Sequence, residues 1–541
     1  MCSLSADQSL NHPDLARSGR TDTRVLYSML AFSAFACGCS GEGGNSSLRE
    51  AIVGVPVAGE LDWDERLTDT SLVVIVSDTM RRDRIGAYGG PARTPVIDSF
   101  GRENLLFEEA YSQAPWTKPS IATVFTSMYP SQHGVLHHPR LVQRGSERTR
   151  EREIMELDVL AEDNTTLAEA LRSAGLRTAG FVGNPWMARS FGFAQGFELY
   201  DDSFAGWDVS GEEVSTAGLE WLEGLADGSR FFLYLHYMDC HQPFIPVDTD
   251  ALASRVDELN GDQRLVTVSA AADIAGIVKR VDGQSATRSG LRPTIALAEY
   301  AYDQGVERFD RALGVFLSGF KDHPAYERTA IIVTSDHGEA LFDRGYGNHA
   351  NGLYDDEVAV PLMARLPGVS SKSHRLEQLV GLIDLFPTVC EYLQVDIPAS
   401  VNGNSWLSIE PSGVRSPPTC LVTEGVSAKP FNRAVRTRNY KLLWQPQGGP
   451  DGKEHALFNI RDDPEETVDL LSKEHSNVEA QGIARELVHL SREMVPKYER
   501  SETLFVPVGE DVLERLRSLG YLDNDDEASD PEEGAAIDRE E

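Results

Sequence analysis

Uninterrupted apolar runs, each about as long as a β-strand, recur along the chain between stretches of helical periodicity. Ser71–Ser77 (SLVVIVS), Thr178–Val182, Arg230–Leu235 and the front of Ala330–Glu339 (AIIVTSDHGE) show no polar alternation. That pattern predicts strands covered on both faces, as in a parallel sheet. Between them, Asn164–Gly175 puts Leu167, Ala170 and Leu171 on one helical face, and Ala296–Phe320 repeats Tyr300, Val306, Phe309, Leu313, Phe316 and Leu317 near the helical period. Val380–Tyr392 reads as a strand running into a helix. Strands alternating with helices predict an α/β fold with a mostly parallel sheet and helices on both faces. Beyond Ser412 the pattern changes. RAVRTRNYKLLW and ALFNIRDDPEETVDL alternate as antiparallel strands do, which predicts a small second sheet, and Gly509–Leu522 adds a final docking helix.

One short helix carries chemistry. In Ala114–Gly134 (APWTKPSIATVFTSMYPSQHG), Pro119 suits the first helical position, leaving Thr117 and Lys118 at the cap. Ile121, Val124 and Phe125 make its buried face, and Tyr129-Pro130 stops it. Thr117 then sits at the positive end of a helix dipole, where an alkoxide or a bound oxyanion is favoured. Alone, this would be an ordinary cap. The strand ends change that reading: Asp78 follows SLVVIVS, and Asp336-His337 follows AIIVTS, at the carboxyl ends where open α/β sheets gather ligands. Oxygens of Asp78, Asp336 and Thr117 with a nitrogen of His337 would make a compact site for one divalent cation. After Arg230–Leu235 come His236, Asp239 and His241, donors for a second metal if there is one.

Length, 541 residues, allows a large α/β domain plus a smaller one. The boundaries expected are 1–40 export signal, 41–68 linker, 69–411 catalytic domain, 412–522 C-terminal subdomain and 523–541 disordered acidic tail. A net charge of −35 argues against a nucleic-acid partner. Arg17, Arg20 and Arg24 precede the apolar run Val25–Ala36, which is too short to span a bilayer and ends in small residues. Export to the periplasm or cell envelope is expected, with Cys39 as a lipid-anchor site and no other membrane contact. Six cysteines build no disulfide framework; Cys240, Cys390 and Cys420 are expected to be packed.

The segment around Thr117 resembles the signature of the sulfatase family, in the alkaline phosphatase superfamily: Thr117, Pro119, Ser120, Thr126, Pro130, His133 and Gly134 fill most of it. DTMRRDRIGAYG, FVGN with GFAQGFELYDD, HYMDCHQPF, YDQGVERFDRALG and NHANGLYDDEVAVPLMARLPG resemble further family segments, from Ser71 to Leu522 in all. The resemblance implies an alkaline-phosphatase-like fold and a metal-dependent ester hydrolase. It makes Asp78 a metal ligand, Asn184 a substrate-binding position, and His241 and His349 contacts of the ester oxygens, the leaving group or a second metal. Lys118 adds charge at the site or faces solvent. Three departures stand out. Thr117 replaces the Cys or Ser that relatives oxidise to formylglycine, so no formylglycine is expected; Ile121 replaces the supporting Arg; Thr79 replaces a second Asp.

A Thr here resembles the superfamily's phosphodiesterases and glycerol-phosphate transferases, where an unmodified, metal-bound Thr attacks phosphorus. The reading is thus an exported hydrolase of sulfate or phosphate esters, small or glycan-linked, with Ca, Mg, Mn or Zn and phosphate favoured on mechanism. Its rivals are a sulfatase-like binding protein without catalysis and a transferase of head groups to a glycan.

Overall fold

A computed structural model of the chain describes residues 48–49, 51–53, 61–63, 67, 69–136, 140–144, 152–205, 209–242, 254, 288–350, 352–371, 374–407, 420–425, 432–445, 454–495, 503–507 and 509–518. The export segment with Cys39, most of the linker and of the polar stretch 250–292, and the acidic tail lie outside the described residues. The chain divides into Met1–Glu50 and Ala51–Glu541, and the second unit holds all that follows.

In chain order the elements that matter are β1 Ser71–Ser77, α1 Pro95–Glu103, β2 Leu105–Tyr111, α2 Thr117–Thr126, α3 Leu167–Ser173, β3 Arg177–Val182, β4 Leu199–Asp201, α4 Gly211–Glu223, β5 Phe231–Tyr237, α5 Arg288–Lys321, β6 Thr329–Ser335, α6 Asp355–Val358, β7 Leu362–Arg365, β8 Arg375–Gly381 and α7 Leu385–Leu393. They are followed by β9 Leu421–Glu424, β10 Arg433–Arg436, β11 Lys441–Trp444, β12 His455–Phe458, α8 Val478–Met494 and α9 Glu510–Ser518. The main sheet has eight strands in the order β8-β2-β7-β6-β1-β5-β3-β4. All neighbours are parallel except β7, which runs antiparallel between β2 and β6.

Alternate residues of β1 face opposite layers, as a period of two requires. Leu72, Val74 and Val76 pack with Ile121, Val124 and Phe125 of α2 and Leu385 and Phe386 of α7. Val73 and Ile75 pack with Val306, Phe309, Leu313 and Phe316 of α5 and Val214 and Leu222 of α4. Each such side chain contributes about 1.5–3 kcal/mol when fully buried, so covering both faces is what selects an apolar run over an alternating one.

The helix expected from Ala296 begins earlier, at Arg288. The expected antiparallel sheet forms with one additional strand at its front, in the sequential order β9-β10-β11-β12. Several elements were not anticipated, among them α1, β2 and α4, and two more bear on the architecture. One is β7; the other is α8, which Asn477 caps by accepting from the Ala480 N–H and which buries Ala480, Ile483, Leu487 and Leu490 at helical spacing. The final helix, α9, sends Val512, Leu513 and Leu516 into the main core, and Arg515 donates to the Asp202 carbonyl at 3.1 Å.

Candidate active site

Strand register assembles the site. Ser77 pairs with Ser335 on one side and Tyr237 on the other, so Asp78 and Asp336, each the next residue, leave the same end of the sheet side by side. Val182 pairs with His236, and Asn184 follows two residues later. After Asp78 the chain turns sharply. Thr79 holds φ +57°, a left-handed conformation that costs a β-branched residue about 1–3 kcal/mol. Its N–H donates to Asp336 Oδ1 at 3.1 Å, and the Tyr302 hydroxyl donates to its carbonyl at 2.6 Å, so the strained turn is gripped from both sides.

The helix α2 starts at Thr117, two residues before the position expected from Pro119. Trp116 is the extended residue at its entrance, and no side chain caps it. Pro119 remains within the first turn, where N–H groups lack helical partners anyway. The helix also ends before Tyr129-Pro130: Ser127 takes φ +53°, and Pro130 opens a separate turn, Pro130–His133. All ten residues of α2 are buried. Ser120 Oγ donates to the Asp336 carbonyl at 2.6 Å, tying this first turn to the end of β6.

Thr117 Oγ1 lies 3.3 Å from Asp78 Oδ2 and 3.3 Å from His337 Nε2. His337 Nε2 is 3.5 Å from Asp336 Oδ2 and 3.7 Å from Asp78 Oδ1. His337 Nδ1 is 2.8 Å from the Gly338 carbonyl; a carbonyl only accepts, so Nδ1 carries the proton and Nε2 turns a lone pair toward Thr117 and the carboxylates. Asn184 Nδ2 donates to Asp78 Oδ2 at 2.5 Å and to Thr117 Oγ1 at 3.2 Å, while its oxygen accepts from the Trp186 N–H. His236 Nε2 stands 3.7 Å from Asp78 Oδ2 and 4.0 Å from Asp336 Oδ2. The rings of His349 and His337 are 4.6 Å apart, and those of His349 and His241 are 5.2 Å apart.

Two predicted site residues are used elsewhere. Lys118 neither adds charge at the cluster nor faces solvent: it is fully buried, with Nζ 2.6 Å from Asp158 Oδ1, bonded to the Asp158 carbonyl and seated over the Phe191 ring. One residue further along a helix points about 100° away, which is why Thr117 and Lys118 part company. Asp239 is placed at the start of α4, bonded to the Gly211 N–H and 3.5 Å from Arg308, so it does not join His236.

The electrostatics are those of a centre short of positive charge. Burial raises both carboxyls, but His241, His236 and His337 with the Asn184 bond draw Asp78 below the ordinary range. Burial and the Asp78 charge hold Asp336 well above it. Burial pushes His337 down to about 3 and His236 to about 4, so both are neutral. His349 goes the other way: burial opposes its charge, but the Glu339 carboxylate 3.2 Å from Nδ1 prevails. Asp78 Oδ1, Asp336 Oδ2 and both ring nitrogens of His236 are buried without a hydrogen-bond partner. Among the described residues, Asp78, Asp336 and His337 are the one group of acidic, His or Cys side chains at metal-ligand spacing. Orphaned oxygens and lone pairs on one centre fit a divalent cation.

Sequence reasoning missed what holds the loop after β6. The Gly338 N–H donates to the Glu357 carbonyl at 2.8 Å and the Glu339 N–H to the Asp356 carbonyl at 2.9 Å, so α6 carries the backbone next to His337. Its Asp355 accepts from Arg436 at 2.6 Å and Lys441 at 2.7 Å, both in the C-terminal sheet, and Lys441 is also 2.6 Å from Glu466. Glu339 stood within a motif, but no local signal tied it to His349 ten residues on.

Two family models match the chain: Sulfatase over residues 70–395, and N-sulphoglucosamine sulphohydrolase, C-terminal, over residues 342–493. An arylsulfatase of Clostridium perfringens is 22% identical over 470 residues, covering 75% of this chain and 90% of that protein. An endo-4-O-sulfatase of Bacteroides thetaiotaomicron is 23% identical over 469 residues, covering 76% and 87%. The crystal structure of a phosphonate monoester hydrolase of Agrobacterium radiobacter superposes with a TM-score of 0.55 at 18% identity, covering 81% of this chain and 100% of that one.

Proposed function

This chain belongs to the sulfatase family and is a hydrolase of ester bonds, and from that premise we propose that Thr117, unmodified, is its nucleophile and that phosphate esters or diesters are preferred over sulfates. The observation that carries this reading is the placement of Thr117 Oγ1, 3.3 Å from a carboxylate oxygen and 3.3 Å from an imidazole lone pair at the start of a helix. Asp78, Asp336, His337 and Thr117 would hold the divalent cation, whose role when bound is to lower the hydroxyl pKa and screen the ester oxygens.

The chain's own residues do the rest. Asn184 fixes the direction of the Thr117 hydroxyl, and Asp78 Oδ2 is positioned to accept its proton. As Oγ1 bonds to phosphorus, the bond to the leaving oxygen breaks. His349, whose hold on a proton Glu339 strengthens against the cost of burial, or the adjacent His241 supplies that oxygen with a proton. Free N–H groups in the first turn of α2 stabilise the negative charge that develops. Water then cleaves the Oγ1–phosphorus bond and returns the hydroxyl. A threonine phosphoester can be cleared this way, whereas a formylglycine hydrate, which Thr cannot become, expels sulfate by itself.

The relatives' names keep sulfate esters in view, and the amino-terminal segment supports export of the enzyme to the cell envelope. Aryl phosphate, aryl phosphodiester and aryl sulfate assayed in parallel test the reading, each with the wild type and Thr117→Ala. Phosphoester turnover lost in the variant is expected; sulfate turnover that survives it would overturn the mechanism. Product formation that requires a glycan acceptor would assign the chain to transfer instead of hydrolysis.

A further inference from the structure

The segment YDQGVERFDRALG, on α5, stands out in the sequence, and nothing in the proposed chemistry uses it. In the fold it grips the chain that leaves β1. Asp303 accepts two bonds from Arg84, at 2.8 and 2.6 Å, and Asp310 Oδ1 accepts from the Ile97 N–H in α1 at 2.8 Å. Tyr302 takes hold nearest to Asp78. Its fully buried hydroxyl donates to the Thr79 carbonyl at 2.6 Å and accepts from the Arg81 N–H at 2.7 Å, so one oxygen spans the turn after β1.

Each amide of that turn is tied to a different residue. The Asp78 N–H donates to the Tyr237 carbonyl at 2.8 Å, the Thr79 N–H to Asp336 Oδ1 at 3.1 Å, and the Met80 N–H to Ser335 Oγ at 2.8 Å. Those partners belong to the ends of β5 and β6, whereas Tyr302 comes from the helical layer. Among these ties sits Thr79 at φ +57°, a conformation that a β-branched residue keeps only where its surroundings impose it. The Thr79 side chain does not offset the strain, because Oγ1 is buried without a hydrogen-bond partner. If Thr79 relaxed, the bond from its N–H to Asp336 Oδ1, which links the two carboxylate-bearing segments, would be lost.

We propose that Tyr302 is a positioning residue for the cation centre: by bridging Thr79 and Arg81 it imposes the left-handed turn, and the turn sets Asp78 beside Asp336. The effect runs through the strain at Thr79, so the hydroxyl matters only while residue 79 resists that conformation. Glycine adopts positive φ about as readily as negative φ, and at position 79 it would make the grip dispensable. The part that concerns a cation rests on Asp78, Asp336 and His337 holding one; the hold on the turn does not.

Tyr302→Phe, Thr79→Gly and the double variant, each in the full chain, test this against the wild type. Chelator-stripped protein is titrated calorimetrically with calcium, magnesium, manganese and zinc, one ion at a time. Tyr302→Phe is expected to bind the wild type's preferred ion about tenfold more weakly, at the lower end of what groups that orient metal ligands contribute. Thr79→Gly and the double variant are both expected to stay within about threefold of the wild type, since glycine needs no grip. A Tyr302 that merely fills the core predicts the same loss in either background, and equal losses overturn the proposal. The crystal structure of ion-free Tyr302→Phe reads the turn whether or not any cation binds. Residue 79 is expected to leave the left-handed region, with its N–H off Asp336. An unchanged turn there overturns the proposal even if affinity falls. A displaced turn in a protein that binds none of the four ions would uphold the grip of Tyr302 and refute the cation reading alone.

Discussion

Lys118 and Asp158 form an ion pair with Nζ and Oδ1 2.6 Å apart and both side chains fully buried, one residue from Thr117. The Asp158 carboxylate also accepts from the Leu136 N–H at 2.5 Å, so it anchors α2 to the chain on both sides of the turn at Pro130–His133. Breaking such a pair leaves an uncompensated charge in the core. Lys118→Met is expected to cost about 3–5 kcal/mol in urea unfolding. A loss below about 1 kcal/mol would show that the pair is better solvated than its burial implies.

Thr117→Ala keeps the helix but removes the oxygen proposed to attack, and at least a thousandfold fall in kcat is expected, on the order of the losses seen when a nucleophile is deleted elsewhere. Thr117→Ser keeps a hydroxyl at the same place and should retain measurable turnover. Equal activity of Ala and Ser variants in steady-state assays would remove Thr117 from the chemistry.

Asn184 touches both Asp78 and Thr117 without itself belonging to the carboxylate and imidazole group. Groups that orient metal ligands are typically worth about 10–100-fold in affinity or activity. Asn184→Ala is expected to fall in that range for kcat, and Asn184→Asp, which adds a third carboxylate at the cluster, should bind cations more tightly and turn over more slowly. Isothermal titration beside kinetics separates the two effects.

His133 gives the protein an acid limit. Burial drives its pKa down to about 3, and its Nδ1 accepts from the Val135 N–H at 3.1 Å, a bond that protonation would destroy. In the unfolded chain the same group titrates near 6.5. The unfolded state therefore binds the proton more tightly, so this contribution to stability is complete above pH 6.5 and is lost progressively as pH falls toward 3. Denaturant midpoints measured across that window should drop, and less steeply in His133→Gln. Parallel curves for the two proteins would refute the assignment.

The centre of the site was legible because each part depends on a local pattern. SLVVIVS and AIIVTS must be buried parallel strands, and parallel neighbours in register deliver Asp78 and Asp336 to one point. What was not legible depends on partners distant in sequence. Lys118 looks available until Asp158 is found forty residues later, and Asp239 looks like a ligand until Gly211 is found at the start of α4. The onset of α2 was misplaced by two residues because Pro119 is tolerated anywhere in the first turn, and Trp116 gives no capping signal. By contrast, Ala480, Ile483, Leu487 and Leu490 carried a plain helical period that marks α8.

Asp355 ties the loop beside His337 to Arg436 and Lys441, which lie 81 and 86 residues later in the chain. A chain cut short before β10 would hold every candidate ligand and the proposed nucleophile, yet leave Asp355 without Arg436 and Lys441 and the neighbouring loop without its brace. The brace would thus be complete only when synthesis has passed Lys441 at the start of β11, making the C-terminal sheet a check on the loop it supports.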